Sequence, residues 1–155
     1  FSGEKRYISG NVLYGDNVKK SGHLGFYNNQ ITIIPEGNYY EFLGWALPGF
    51  KKYSFSRAFL SALFSKKNIV LDTNMHGEER AYVVSGQYED FVPMDIFPVQ
   101  LIKAIMVEDI ELMENLGIYE ITPEDFALCE FSCTSKIPVQ EIIRHGLDLV
   151  KKECS

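Results

Sequence analysis

Residues 91–102, FVPMDIFPVQLI, return forty positions later as residues 131–142, FSCTSKIPVQEI, without a gap. Phe91 and Phe131, Pro98-Val99-Gln100 and Pro138-Val139-Gln140, and Ile102 and Ile142 all recur at that offset. Pro is favoured at the first position of a helix, so part of the match could arise independently twice. Helical periodicity does not demand Pro-Val-Gln twice, however, and an internal duplication is the stronger reading. Each copy implies a turn leading into a helix. From Pro98, Val99, Ile102, Ile105 and Met106 follow at helical spacing, and Ile110, Met113 and Leu116 continue the pattern until Gly117 stops it. Thr122-Pro123-Glu124-Asp125 has the form of a capped helix start. From Pro138, residues Val139, Ile142, Ile143, Leu147 and Val150 form one stripe, with Lys151 and Lys152 at the C-terminal end, where cations suit the helix dipole.

Upstream the texture is that of sheet. Residues 6–13 read as a strand with Ile8 and Val12 on one face, and Gly15, Asp16 and Asn17 as a turn. Residues 22–35 supply a second strand, strongest at 30–34, where Ile31 and Ile33 alternate with polar neighbours. Residues 40–45 supply a third. Ser54 or Ser56 is positioned to cap a helix over residues 57–66, with Phe59, Leu60, Leu63 and Phe64 on its apolar side. Residues 68–72 and 81–84 resemble the arms of a hairpin around His76-Gly77-Glu78. The expected class is α+β: a small β module over residues 1–48, a connector with helix and hairpin over 49–87, and a helical, internally duplicated domain over 88–155.

Charge and composition narrow the function. The chain has 155 residues, 15 Lys plus Arg against 21 Asp plus Glu, and a net charge of -6. An acidic chain is a poor partner for nucleic acid, whose phosphates need a basic surface. A chain of this length buries about 70% of its extended surface and needs no metal staple to fold. No apolar run approaches the roughly 18 residues of a membrane span, and nothing at the start resembles a secretion signal. The opening at Phe1, without an initiator Met, is what a piece of something longer would show. Three cysteines make no disulfide framework.

Several candidate sites carry competing readings. Cys129 and Cys133 sit four apart and would share one face of a helical turn. With His145 or Cys154 they could complete a zinc-like set, yet the spacing matches no common zinc pattern and buried Cys usually packs as a small hydrophobe. His76 lies among Glu78, Glu79 and Arg80, either an acid–base cluster or a solvated tip. No glycine-rich phosphate loop is present. Nine of the 21 aromatic residues fall within residues 39–64. Tyr39, Tyr40, Phe42, Trp45, Phe50 and Tyr53 are either packing at a joint between modules or an exposed surface for a partner or a flat ligand such as quinone. The pairs Lys51-Lys52 and Lys66-Lys67 flank them, as a solvated face or as a contact for acidic headgroups or a partner.

The runs RYISGNVLYG (6–15), YEFLGWALPGFKKYSFSR (40–57), YVVSGQYEDFVPMDIFP (82–98) and PEDFALCEFSC (123–133) resemble the C-terminal part of the A-subunit of the bacterial Na+-translocating NADH:quinone reductases. The resemblance implies a soluble-ligand-binding β-grasp domain first, then a helical domain similar to the ferredoxin-like, cluster-bearing domains of related complexes. Those domains hold two iron–sulfur clusters with eight thiolates. Here Cys133-Thr134-Ser135-Lys136-Ile137-Pro138 matches the end of their second motif and Cys129 the Cys before it. Pro123 and Phe126 stand at its other ligand positions, and the first copy has Glu89 and Pro93 where the second has Cys129 and Cys133.

The resemblance thus implies a scaffold that has lost its ligands, with Cys129 and Cys133 vestigial and no cofactor, metal or catalytic residue in this chain. It further implies a place at the cytoplasmic side of the bacterial inner membrane, within a peripheral component. Its partners would be the membrane subunits, above all the quinone-binding one, and ubiquinone or menaquinone in a complex that uses NADH, flavins, iron–sulfur centres and quinone. Two alternatives are an independent small-ligand-binding β-grasp module and a Cys-based metal or redox module. Protein purified without oxygen is expected to be colourless and free of stoichiometric iron or zinc. Iron with sulfide, or one tightly held zinc, would overturn the loss of the ligands.

Overall fold

The computed structural model describes residues 3–39, 41–44, 46–50, 52–55, 57, 59–63, 70–82 and 86–154. It is mixed α and β, with a three-stranded antiparallel sheet and four α-helices. The chain divides into two compact units, Phe1–Glu78 and Glu79–Ser155.

The first unit contains the sheet, in the order β2-β1-β3. Strand β1 (Lys5–Ser9) pairs antiparallel with β2 (Asp16–Val18), Tyr7 opposite Val18, and with β3 (Ile31–Pro35), Tyr7 opposite Ile33. The first strand is shorter than its hydrophobic pattern implies. Gly10 adopts φ +102°, and the Asn11 side chain then accepts hydrogen bonds from Leu13 N and Tyr14 N at 2.8 and 3.0 Å. This local Asx turn takes the backbone from the ladder. Val12, expected beside Ile8, is therefore exposed, while Asp16 and Asn17 are strand rather than turn. Ile31 and Ile33 do share a face, but that face is open: they are 61% and 44% exposed.

Two other expectations fail in this unit. Residues 42–44 form a turn closed by Gly44 N donating to Glu41 O, and Leu43 takes φ +51°, so no third strand runs through the described part of residues 40–45. The helix expected over 57–66 is a single 3₁₀ turn, Leu60–Leu63, with Arg57 at φ +55°; Ser56 and residues 64–66 lie outside the described residues. Of the expected hairpin arms, the described residues 70–72 and 81–82 are not strand, while 68–69 and 83–84 lie outside the described residues. Turn glycines and alternating aromatics gave a β-like texture there without a partner strand to pair with.

The second unit holds almost all of the described core. Tyr88, Val99, Leu101, Ile102, Ile105, Met113, Ile118, Phe126, Cys129, Val139, Ile143 and Val150 are all buried. Helix α1 (Pro98–Met106) starts with Pro at its first position, where no N–H is missed. The apolar spacing runs on without a break, but the helix does not: Val107 ends it, Glu108 takes φ +58°, and the Asp109 carboxylate accepts from Leu112 N at 3.0 Å to begin α2 (Ile110–Asn115). Gly117, at φ +89°, stops α2 as the sequence implies. Thr122 N donates to Asp125 Oδ2 at 2.8 Å, the expected capped start, entering a 3₁₀ turn (Pro123–Phe126) and α3 (Ala127–Ser132). Pro138 caps α4 (Val139–Glu153), and the Glu130 carboxylate accepts from Gln140 N at 2.8 Å to satisfy an orphan donor.

The sequence echo has a structural counterpart. A short helical turn, Tyr88–Asp90, precedes α1 as α3 precedes α4, and Val99 and Val139 are each buried one residue after their prolines. Helices α1 and α4 pack together where α4 carries Gly146. A Cβ built there would fall 2.8 Å from Ile105 Cγ1 and 2.9 Å from its Cδ1, and Ile105 is 1% exposed, with no room to retreat. Overpacking of this kind costs about 1–3 kcal/mol, more than the ~1 kcal/mol that replacing a helical Gly returns. Gly146→Val should lower the denaturant midpoint of the helical unit, and Ile105→Ala added to it should recover part of the loss. A neutral Gly146→Val would show that α1 and α4 are not held this close.

Candidate functional site

Two of the three cysteines of the second unit, with Gln87 and Ser132, gather around Tyr88. Its hydroxyl donates to Cys133 Sγ at 2.9 Å, and the Cys129 thiol points to Tyr88 O at 3.8 Å. Cys129, on α3, is 0% exposed, and Cys133, the residue that ends α3, is 7% exposed. Gln87 Nε2 donates to Ser132 O at 2.6 Å and Ser132 Oγ to Cys129 O at 3.1 Å, so residues 87–88 hold the end of α3 from the side. The Tyr82 ring lies 5.8 Å from that of Tyr88, and Lys103 Nζ sits 5.9 Å over it.

Burial pushes the Cys129 thiol up to about 12, and the nearby Glu89 carboxylate adds to the shift. Burial also raises the Tyr88 phenol far above its ordinary range, its bond to Cys133 helping. A thiol kept neutral in apolar surroundings is a weak nucleophile and a weak ligand. His145 and Cys154 stand elsewhere. His145 Nε2 lies 3.2 Å from Glu108 Oε1, and Cys154, exposed, lies near Glu114 and Tyr119, whose hydroxyl donates to Glu114. Among the described residues no three His, Cys, Asp or Glu side chains converge.

In the first unit the tip around His76 is not the cluster its sequence neighbours imply. His76 Nε2 faces Asp72 Oδ1 at 3.5 Å rather than Glu78 or Glu79, and its ring lies 6.2 Å from Tyr39. Tyr39 OH donates to Asp72 Oδ2 at 3.0 Å, and Asn74 Nδ2 donates to Tyr39 O at 2.7 Å. Beside them Arg6 Nε donates to Glu36 Oε2 at 3.0 Å, Thr73 Oγ1 to Glu36 Oε1 at 2.8 Å, and Gly37 N to Thr73 Oγ1 at 2.8 Å. The Arg6 and Thr73 bonds hold the Glu36 carboxyl below its usual range, and the bond to Asp72 raises the Tyr39 phenol. Asp72, Thr73 and Asn74 were invisible as a group in the sequence, because their partners lie more than thirty residues away. This arrangement clamps residues 72–76 to the end of β3.

Of the six aromatic residues singled out as a candidate surface, the four that are described are exposed. Tyr39 is 51%, Phe42 89%, Phe50 58% and Tyr53 46% exposed, while Tyr40 and Trp45 lie outside the described residues. Lys52 is no solvated lysine. It pairs with Glu41, donates to Gly44 O, and sits 5.7 Å over the Phe59 ring; Lys51, Lys66 and Lys67 lie outside the described residues.

A protein from Rhodopirellula baltica, named as the A-subunit of the Na(+)-translocating NADH-quinone reductase, is 42% identical over 150 residues, 96% of this chain and 33% of its own length. Proteins of the same name from Vibrio anguillarum and Haemophilus influenzae are 40% and 42% identical over 97% and 98% of this chain. The chain is homologous to the C-terminal region of that protein. It spans about a third of the length of the curated relatives it matches. No protein-family model matches it.

Thiol reagents should separate the three cysteines of this A-subunit homologue: Cys154 reacting at once, Cys129 and Cys133 only as the helical unit unfolds. The folded chain holds the Cys129 proton more tightly than the unfolded chain, whose thiol titrates near 9.0. Stability from this group is therefore complete below pH 9 and lost as pH rises towards 12. Replacing Cys129 by Ala should flatten that alkaline loss; an unchanged profile, or rapid labelling of Cys129 in the folded chain, would contradict its burial.

Proposed function

We propose that this chain is part of the peripheral component of a sodium-translocating NADH:quinone oxidoreductase and acts in assembly and docking, with no redox centre of its own. The observation that carries this reading is 40–42% identity over 96–98% of the chain to proteins named as the A-subunit of that reductase. On this reading residues 1–48, in the first unit, are the β-grasp, soluble-ligand-binding-like module. Residues 88–155, in the second, are the ferredoxin-like scaffold in which Cys129 and Cys133 are remnants of a cluster motif. The neutral, buried state of Cys129 and the Tyr88 phenol set against Cys133 support that view, since a cluster needs thiolates with free space between them.

The partners are the membrane subunits, above all the quinone-binding one, at the cytoplasmic face of the inner membrane. No helix among the described residues is long and apolar enough to cross a membrane. Tyr39, Phe42, Phe50 and Tyr53 are the surface assigned to that contact or to the quinone itself. Apolar rings left in water are the usual anchors of an interface, and truncating one at its centre costs about 2 kcal/mol or more. The full-length protein carrying Phe42→Ala and Phe50→Ala should bind the membrane subunits at least roughly thirtyfold more weakly in a pull-down, following the same scale. Wild-type binding by this variant would remove these rings from the docking surface. Failure of the unmodified full-length protein to bind at all would overturn the docking role.

A further inference from the structure

Between β2 and β3 the chain makes two successive turns. Gly22 N donates to Lys19 O at 2.7 Å in the first, and Asn28 N donates to Gly25 O at 3.0 Å in the second. The second turn leaves Phe26 and Tyr27 at its corner, 93% and 95% exposed, their rings edge to face with centroids 5.0 Å apart. The base of that turn is hydrogen-bonded to β1. Ser9, itself 2% exposed, accepts through its hydroxyl from Gly25 N at 2.8 Å and from Asn28 Nδ2 at 2.9 Å, and its carbonyl accepts from Asn28 Nδ2 at 3.3 Å. A Cβ on residue 25 would fall 2.8 Å from Asn28 Nδ2, so the close seat on β1 depends on glycine. Two rings are thus held out in water on a foot bonded to a buried strand residue.

Along the sequence, the charge of the segment that carries them runs against that of the chain. From residue 17 to 35 there is no Asp or Glu, while Lys19, Lys20 and His23 are present, on a chain of net charge -6. Lys19 and Lys20 are exposed, and among the described residues neither makes an ion pair. The last acid before them is Asp16, opposite Ser9.

We propose that this tip, Phe26 and Tyr27 with Lys19 and Lys20, enters the headgroup layer of an anionic lipid bilayer. The apolar Phe26 ring suits the boundary between headgroups and chains, the Tyr27 ring sits there with its hydroxyl towards the headgroups, and each lysine near the surface is drawn to its negative charge. Charge complementarity favours lipid. A headgroup layer takes protruding rings without a matched pocket. The proposal goes beyond docking on other subunits and does not depend on it, because lipid alone suffices for the test.

The full chain is to be sedimented with vesicles of phosphatidylcholine and phosphatidylglycerol in equal parts, and with vesicles of phosphatidylcholine alone. Binding to the anionic vesicles is expected, weakened by salt. Phe26→Ala with Tyr27→Ala should lower it at least roughly tenfold, by the apolar area withdrawn. Lys19→Ala and Lys20→Ala should each lower it about fivefold. Circular dichroism of the variants should match that of the unmodified chain, since all four positions are exposed. Equal binding to both vesicle types, no binding to either, or binding indifferent to the ring variant would each overturn the proposal. If vesicles are ignored while the ring variant fails to co-purify with membrane subunits, the tip belongs to a protein partner and the lipid assignment is wrong.

Discussion

The Ile105 side chain of α1 packs directly on the backbone of α4 at Gly146, and the second unit depends on that approach. Because Ile105 occupies the space a Cβ would need, Val99 and Ile102 on one helix reach the core formed by Val139, Ile143 and Val150 on the other. The prolines that open both helices set where each begins, and Glu130 satisfies a donor at the start of α4 from the neighbouring α3. With the two long elements seated, the short turns that precede them converge. Tyr88 arrives from the turn before the first copy of the repeated segment, Cys129 from the helix that leads into the second, and Cys133 from within the second.

That convergence gives the cysteines their chemistry. A thiol four residues from another thiol is a metal motif only when both can ionise and face open space. Here desolvation keeps the Cys129 proton in place, and a phenol hydroxyl is spent on Cys133. The same two residues in an open turn would be reactive. The sequence echo has a counterpart in the backbone, and the side chains described between its two segments are packed and hydrogen-bonded.

The first unit is organised differently. Its sheet is short, Ile8 is the large apolar side chain buried in its described part, and polar links do much of the holding. Arg6, Glu36 and Thr73 fasten the end of β3, Ser9 fastens the turn at Gly25, and Lys52 ties together residues 41–61 through Glu41, Gly44 and Ser61. A module held this way leaves its rings outside. Aromatic side chains such as Phe26, Tyr27 and Phe42 stand almost wholly in water. Homology to part of a multi-subunit reductase component is consistent with that economy.

Local chemistry was legible in the residues themselves. Pro98, the Thr122–Asp125 cap, Gly117 and the stripe from Val139 to Val150 each act within one or two helical turns, so spacing alone revealed them. The forty-residue echo and the runs shared with the reductase family were equally open to reading, because they are properties of residue order. Tertiary structure decided the rest. The break between α1 and α2 hides beneath unbroken apolar periodicity, since the Asp109 cap competes with a continuing helix without disturbing the spacing. The strand expected at 40–45 had suitable residues but, where described, no partner edge, and a strand exists only by pairing. Asp72 and Tyr39, or Ser9 and Asn28, are joined across 33 and 19 residues, and no local pattern marks such pairs. Whether a cysteine is a ligand or a filler depends on what surrounds it in space, and sequence order does not contain that.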